Sequence, residues 1–293
     1  MRHRGNFNTF SAHAWYVPGV GGMLVLLALL LAGVALGGIV TMIFTAAMGQ
    51  EAANEYAMLI AYPLQFLPAM LFAAIRSRDR SFDSGGFALD SNRFAPLKGW
   101  ICALLAMAGT FAAAFASDAL TSALPPMPDW LKSLMESMTT GNLWVNFLLV
   151  SIMAPQFEEW LCRGMVLRGL LNSGGMRPFW AIVVSAAFFA LIHMNPWQAI
   201  PAFLLGCLFG YVYYRTGSLK LTMLMHFTNN TIALVCANIW PEAETWTDII
   251  GSLYWICFAL ALIVLALVVL AFRRIRLQSP AGNCDAVPAV FSE

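Results

Sequence analysis

Residues 142–163 read NLWVNFLLVSIMAPQFEEWLCR, an apolar run that ends in Glu158, Glu159 and Arg163. The run is long enough for a spanning helix, which needs about 20 mostly apolar residues. A charged side chain at membrane depth costs roughly 2.5 to 3.5 kcal/mol even on lenient insertion scales, so it usually marks a functional site. The stretch therefore predicts a membrane helix with a site in it.

The whole chain has the composition of a membrane protein. Of its 293 residues, 60% are hydrophobic and only 11% are charged, which is too little charge to cover a soluble globule of this size. We predict an all-α fold, a polytopic membrane protein with about eight transmembrane helices. The predicted spans are 19–47, 57–75, 99–120, 142–162, 179–194, 198–215, 219–240 and 248–272.

The basic residues predict the orientation of these spans, because cytoplasmic loops are enriched in Lys and Arg. With eight spans, every basic residue except Lys132 falls on one side, including Arg163 and Arg168. Both termini are therefore predicted to be cytoplasmic. The predicted segments are a cytoplasmic N-terminal segment, a transmembrane domain and a disordered cytoplasmic tail, at 1–18, 19–272 and 273–293.

The first polar motif is Glu158-Glu159 followed by Arg163. Arg163 lies one helical turn after Glu159, so these two side chains share a face and can pair, while Glu158 points about 100° away. One carboxylate would then be neutralised and the other free for proton transfer. The alternative is a cytoplasmic helix end that carries three solvated charges.

Two further motifs place histidines on other predicted spans. Phe189 comes one turn before His193, and His226 comes one turn before Asn230. Either histidine could serve only to hold helices together by hydrogen bonds. Together with a carboxylate, however, two imidazoles and an amide supply a base, an acid or ligand, and an oxyanion donor, which is what hydrolysis of a peptide bond requires. The first three spans consist mostly of Leu, Ala, Val, Met and Phe and are expected to face lipid.

Several other site types are missing from the sequence. It has no GxSxG elbow, no HExxH zinc motif and no glycine-rich phosphate loop. We therefore expect neither a nucleotide nor a nucleic acid as a partner.

The ordered triplet resembles the CPBP family of intramembrane proteases, which includes type II CAAX prenyl endopeptidases and bacteriocin-processing or immunity homologues. The pattern of that family is EExxxR, then FxxxH, then HxxxN or HxxxD, each on its own helix. The resemblance covers about Ser151 to Thr231, and it implies a protease core at about 142–240.

The resemblance also implies roles for the motif residues. Glu158, aided by His193, would activate the attacking water, and His226 with Asn230 would stabilise the oxyanion. Structural or supporting roles would fall to Glu159, Arg163 and Phe189.

The resemblance to this family is compatible with two mechanisms. One is a hydrolysis without metal that depends on a glutamate, and the other is a zinc protease. Glu158, His193 and His226 could serve as three zinc ligands that leave an open position. Asn230 beside them is a poor zinc ligand, which favours the mechanism without metal, so no cofactor is assigned and zinc stays an alternative.

The predicted function is that of an intramembrane endopeptidase, a hydrolase that cuts a membrane-associated peptide or protein, of the CAAX type or prenylated. Its partners would be membrane lipid and that substrate, and its location the plasma membrane of a bacterium. One alternative is a non-catalytic membrane scaffold or chaperone of the same fold. Another is a proton-coupled transporter, because buried Glu and His also build proton relays.

Overall fold

The computed structural model describes residues 10–13, 16–78, 89–91, 94–137, 141–172 and 175–277. Two short 3-10 turns cover Ser11–His13 and Gly251–Leu253. The helices are α1 (Val20–Met48), α2 (Gln50–Arg78), α3 (Gly99–Thr121), α4 (Asp129–Ser137), α5 (143–172), α6 (Pro178–Ile192), α7 (Pro196–Thr216), α8 (Leu219–Ile239), α9 (Trp246–Ile250) and α10 (Tyr254–Arg273). The strands are β1 (Phe94–Ala95) and β2 (Arg276–Leu277), which pair antiparallel.

The described residues contain four helical segments that are long and apolar enough to cross a membrane. They are α1, α2, α3 and the segment Trp246–Arg273, which joins α9 to α10. The chain is therefore an integral membrane protein with an almost entirely helical fold. The other four predicted spans are helical too, as α5 to α8, but they are not among these four candidate membrane-spanning segments. Helix α6 is apolar but only 15 residues long. The eight-span count and the cytoplasmic termini stay predictions.

The hairpin of α1 and α2 differs from the predicted boundaries. Gly49 turns the chain with a φ of 85°, a backbone conformation that side chains rarely allow. Because the turn needs only this residue, α2 begins at Gln50 rather than near residue 57. Glu51 therefore lies in the first turn of α2. Pro63 lies inside α2 without ending it, as is common in membrane helices.

Helix α5 is longer than predicted and contains two π-helical stretches. It begins as Leu143–Asn146, continues as a π-helix over Phe147–Met153, returns to α over Ala154–Glu159, becomes π again over Trp160–Leu167 and ends as Arg168–Asn172. The side chain of Asn142 caps its start by accepting from the backbone N–H of Trp144 at 3.0 Å. π-Helical turns are rare and are often found at functional sites, and here they lie on either side of Glu158 and Glu159.

The second half of α5 is the centre of the molecule, since every residue from Trp160 to Leu171 is buried. The α1–α2 hairpin packs on one side of α5, and α6, α7 and α8 pack on another. Helix α3 in turn packs on α7 and α8, and α10 packs on α3 and α7. Arg163 and Arg168, predicted as loop cations, are fully buried within this layer. Neither side chain reaches water, so both lie in the protein interior and not in a solvated loop.

Two connections hold the ends of the helices together. Arg215, at the last turn of α7, donates to the backbone carbonyls of Phe272 and Ile275 at 3.2 and 2.6 Å, which satisfies carbonyls at the end of α10. The strand pair then ties the start of α3 to residues just after α10. Residues 273–277 of the predicted tail thus have defined positions, and 278–293 lie outside the described residues, as do 1–9 of the N-terminal segment.

Asp90 anchors the connection between α2 and α3 to the first turn of α8. Its Oδ1 accepts from the backbone N–H of Leu219 at 2.9 Å, and its Oδ2 pairs with Lys220 Nζ at 3.1 Å. A carboxylate at this position satisfies free N–H groups and favours the positive end of the helix dipole. It holds the helix that carries His226.

Candidate active site

Glu158 has one bound and one unbound carboxylate oxygen. Its Oε1 accepts a hydrogen bond of 2.5 Å from the hydroxyl of Tyr62 on α2. Its Oε2 is buried and has no hydrogen-bond partner among the described residues, and it lies 3.9 Å from Nε2 of His226. The side chain keeps 15% of its surface exposed. This oxygen is therefore a free acceptor in a confined place, 3.9 Å from an imidazole nitrogen.

Glu159 is the partner of both Arg163 and His226. Its Oε1 accepts from Arg163 Nη1 at 2.8 Å and lies 3.1 Å from His226 Nδ1. Both side chains of the ion pair are completely buried. A carboxylate paired with an arginine only accepts hydrogen bonds, so Nδ1 is the nitrogen of His226 that carries the proton here. The predicted pair is present, and the alternative of solvated charges at a helix end is wrong.

The guanidinium of Arg163 is enclosed on several sides. Its Nη2 donates to the carbonyl of Gly206 at 3.1 Å, and its central carbon lies 4.5 Å from the ring centre of Phe189 and 5.3 Å from that of Phe209. Cations over aromatic faces are stabilised by the ring quadrupole, more strongly when water is excluded. A side chain at 206 would meet Arg163 Nη2 at 3.3 Å, so glycine permits this close approach.

His193 lies at the C-terminal end of α6, directly after Ile192. Its Nδ1 is 2.7 Å from the carbonyl of Phe189 and donates to it, which leaves Nε2 available. The Phe189 ring contacts the rings of both His193 and His226 edge-on, at centroid distances of 4.9 and 5.5 Å. The two histidines are thus held against one phenyl ring, although no hydrogen bond joins His193 to Glu158 in the described part of the chain.

Asn230 makes two hydrogen bonds through its side-chain amide. Its Nδ2 donates to the carbonyl of Val150 at 2.8 Å, and its Oδ1 accepts from Asn229 at 3.1 Å. The bond to Val150 ties α8 to the first π-helical segment of α5. One N–H of the amide remains for a ligand, because the group has two.

The comparison with family models identifies the segment that carries these residues. Residues 140–232 match the Rce1-like family, described as type II CAAX prenyl endopeptidase Rce1-like. The resemblance predicted from the three motifs is thereby confirmed for this segment, which indicates a protease. No curated protein and no solved structure matches the chain. The Rce1-like segment runs from α5 into α8.

The zinc alternative requires three donor side chains arranged around one point. Across the described ranges, no group of three or more His, Cys, Asp or Glu side chains is arranged to hold a metal ion. Glu158 uses one oxygen for Tyr62, and His193 uses Nδ1 for a carbonyl. In the described part of the structure, Glu158, His193 and His226 are therefore not arranged as three zinc ligands.

Sequence reasoning missed one residue of this site, Tyr62. It is 96 positions from Glu158 and lies on a helix that was expected only to face lipid. The available signal was a hydroxyl in an apolar span, next to Pro63 and close to Gln65. That signal does not say which helix the hydroxyl meets, because the contact depends on how α2 packs on α5.

Proposed function

We propose that the chain is an intramembrane endopeptidase that uses Glu158 to activate water and cuts a membrane-associated peptide or protein. The observation that supports this most is the state of Glu158 within the Rce1-like segment. Its Oε1 is held by Tyr62, while its buried Oε2 has no partner among the described residues and lies 3.9 Å from His226. That distance is too long for a direct hydrogen bond, so Oε2 keeps its capacity to accept from a water molecule of the reaction.

The proposed reaction moves one proton through Glu158. Oε2 takes a proton from water while the water oxygen attacks the carbonyl carbon of the peptide bond, and the carbonyl oxygen becomes an oxyanion. His193 offers Nε2 as a second acceptor or donor for the water. The C–N bond then breaks, and the proton on Glu158 passes to the leaving amine.

The oxyanion needs donors on the other side of the carbonyl. His226 donates Nδ1–H to Glu159, so a ring protonated on both nitrogens would donate from Nε2 on the side of Glu158. Asn230 offers its second amide N–H. The Glu159–Arg163 pair supports this arrangement, because buried partners hold the imidazole in one orientation before substrate binds.

The description of the matched family supports a proposal for the substrate class. The name of the matched family indicates a peptide that ends in a CAAX sequence and carries a prenyl group. We also propose that the site opens toward the cytoplasm, that both termini lie there, and that the protein resides in a bacterial plasma membrane with lipid around its outer helices.

The experiment uses the purified full-length protein with a farnesylated peptide that ends in Cys-aliphatic-aliphatic-X. Mass spectrometry should find a product that lacks the last three residues, and the same peptide without the lipid tests whether the prenyl group is needed. If wild type and Glu158→Ala give the same products, the endopeptidase proposal fails, and a scaffold of the same fold becomes the better explanation.

A chelator separates the two mechanisms. We expect that dialysis against a zinc chelator leaves the cleavage rate within about twofold of the untreated protein, because Glu158 and the histidines do not form a ligand set. Complete loss that added zinc restores would contradict the mechanism without metal.

A further inference from the structure

Tyr62 differs from the other residues of the site in its position in the chain. It lies on α2, far outside the matched residues 140–232, and α2 is one of the four membrane-spanning candidates. Its hydroxyl donates to Oε1 of Glu158 at 2.5 Å. A short O–H···O⁻ bond of this kind is roughly twice as strong as one between neutral groups.

The ring of Tyr62 is fixed by aromatic neighbours from two helices. Its centroid lies 5.5 Å from that of Phe66 on α2 and 6.3 Å from that of Phe157 on α5. Phe66 and Phe157 stack on each other at 5.3 Å with an interplanar angle of 18°. Aromatic pairs at such distances attract beyond the area that they bury. The hydroxyl is thus presented to Glu158 by a rigid support.

A glutamate can accept a proton from one defined position only if its carboxylate is held in one orientation. The last torsion of a glutamate side chain is broad and has no sharp staggered minimum, so an unanchored carboxylate rotates. When Oε1 is bound by a fixed hydroxyl, Oε2 must face the other way, and here it faces His226.

We propose that Tyr62 is a positioning residue for Glu158, which makes α2 part of the active site although it lies outside the matched segment. This inference rests on the proposed function. The hydroxyl and not the ring carries the effect, since the ring alone would leave both carboxylate oxygens free to rotate.

The test compares kinetics of four purified full-length proteins on the farnesylated CAAX peptide: wild type, Tyr62→Phe, Tyr62→Ala and Tyr211→Phe. Tyr211 is a matched control, because its hydroxyl also bonds across helices, to the carbonyl of Val269 at 3.2 Å. We expect Tyr62→Phe to lower kcat about tenfold to hundredfold, the effect of a small misplacement of a catalytic group, with KM within about twofold. Tyr62→Ala should lose at least as much, and Tyr211→Phe should match wild type.

A purely structural role for Tyr62 gives a different pattern. Tyr62→Phe keeps the ring stack and would then have the kcat of wild type, while Tyr62→Ala would lose folded protein; that pattern overturns the inference. Glu158→Ala, measured beside them, separates the two proposals. If Glu158→Ala is inactive and Tyr62→Phe is fully active, only the inference fails, and if Glu158→Ala is as active as wild type, the proposed function fails and the inference with it.

If wild type does not cleave the peptide, the same variants are compared in membranes by their peptide termini. Termini that Glu158→Ala loses should also decline in Tyr62→Phe at matched protein levels. Termini that persist undiminished in Tyr62→Phe would overturn the positioning role.

Discussion

The four helices of the Rce1-like segment and the four candidate membrane-spanning segments around them differ in which side chains they bury and which they expose. Helices α5 and α8 bury Glu159, Arg163 and His226 in contact with one another. The outer segments instead expose large apolar side chains such as Leu24 and Leu267, which is what a lipid-facing surface requires. The buried charges of this segment therefore have specific partners, and Tyr62 on α2 adds a hydrogen bond from an outer helix.

The largest expected effect comes from Glu158→Gln in the inner set. Glutamine keeps the shape and can still accept from Tyr62, but it cannot take a proton. We expect the cleavage rate to fall about 10²- to 10⁴-fold, the usual size of a general-base contribution, with normal protein abundance. Glu51→Gln on the exposed start of α2 is the matched control and should retain the wild-type rate. Equal rates for wild type and Glu158→Gln would show that Glu158 is not the general base.

The second effect compares two ion pairs. Arg163→Ala leaves Glu159 buried and without its cation, which should lower the free energy of unfolding by about 3 to 5 kcal/mol and lower activity as well. Lys132→Ala breaks an ion pair at the surface, where the Lys132 and Glu244 side chains are 48% and 68% exposed. This substitution should lower the free energy of unfolding by about 1 kcal/mol or less. Thermal unfolding in detergent measures both, and similar losses would show that burial does not matter here.

The smallest effect tests the packing of the outer hairpin. A Cβ on Gly33 would overlap the backbone carbonyl of Gln65, whereas a Cβ on Gly38 meets nothing within 4 Å. Both substitutions to alanine gain the same helix propensity, so their difference isolates packing. We expect Gly33→Ala to be less stable than Gly38→Ala by about 1 to 3 kcal/mol. Equal melting temperatures would mean that α1 and α2 do not rely on this contact.

Much of the fold follows from local sequence. Long apolar runs predict the existence of the eight main helices, and the spacing of Glu159 and Arg163 predicts their pair, because both features depend only on helical period. The start of α2 was missed, since one glycine at position 49 is enough for the turn. The π-helical turns of α5 were missed as well, because no sequence period distinguishes them from ordinary helix.

The site was less predictable than the helices. The spacing of His226 and Asn230 predicted that they share a face, but not that His226 lies beside the two glutamates of α5 or that Asn230 binds the Val150 carbonyl. Helical spacing can say which residues share a face but not which neighbouring helix that face meets. Tyr62 was missed for the same reason.

The central claim is that Glu158 gives this membrane protein a proteolytic activity. The most direct measurement is a mass-spectrometric comparison of peptide termini in membranes from cells that express wild type or Glu158→Ala at matched levels. We predict a set of termini that appears with wild type and is missing with the variant, and these termini would also identify the substrate. Identical sets of termini under several growth conditions would contradict the claim.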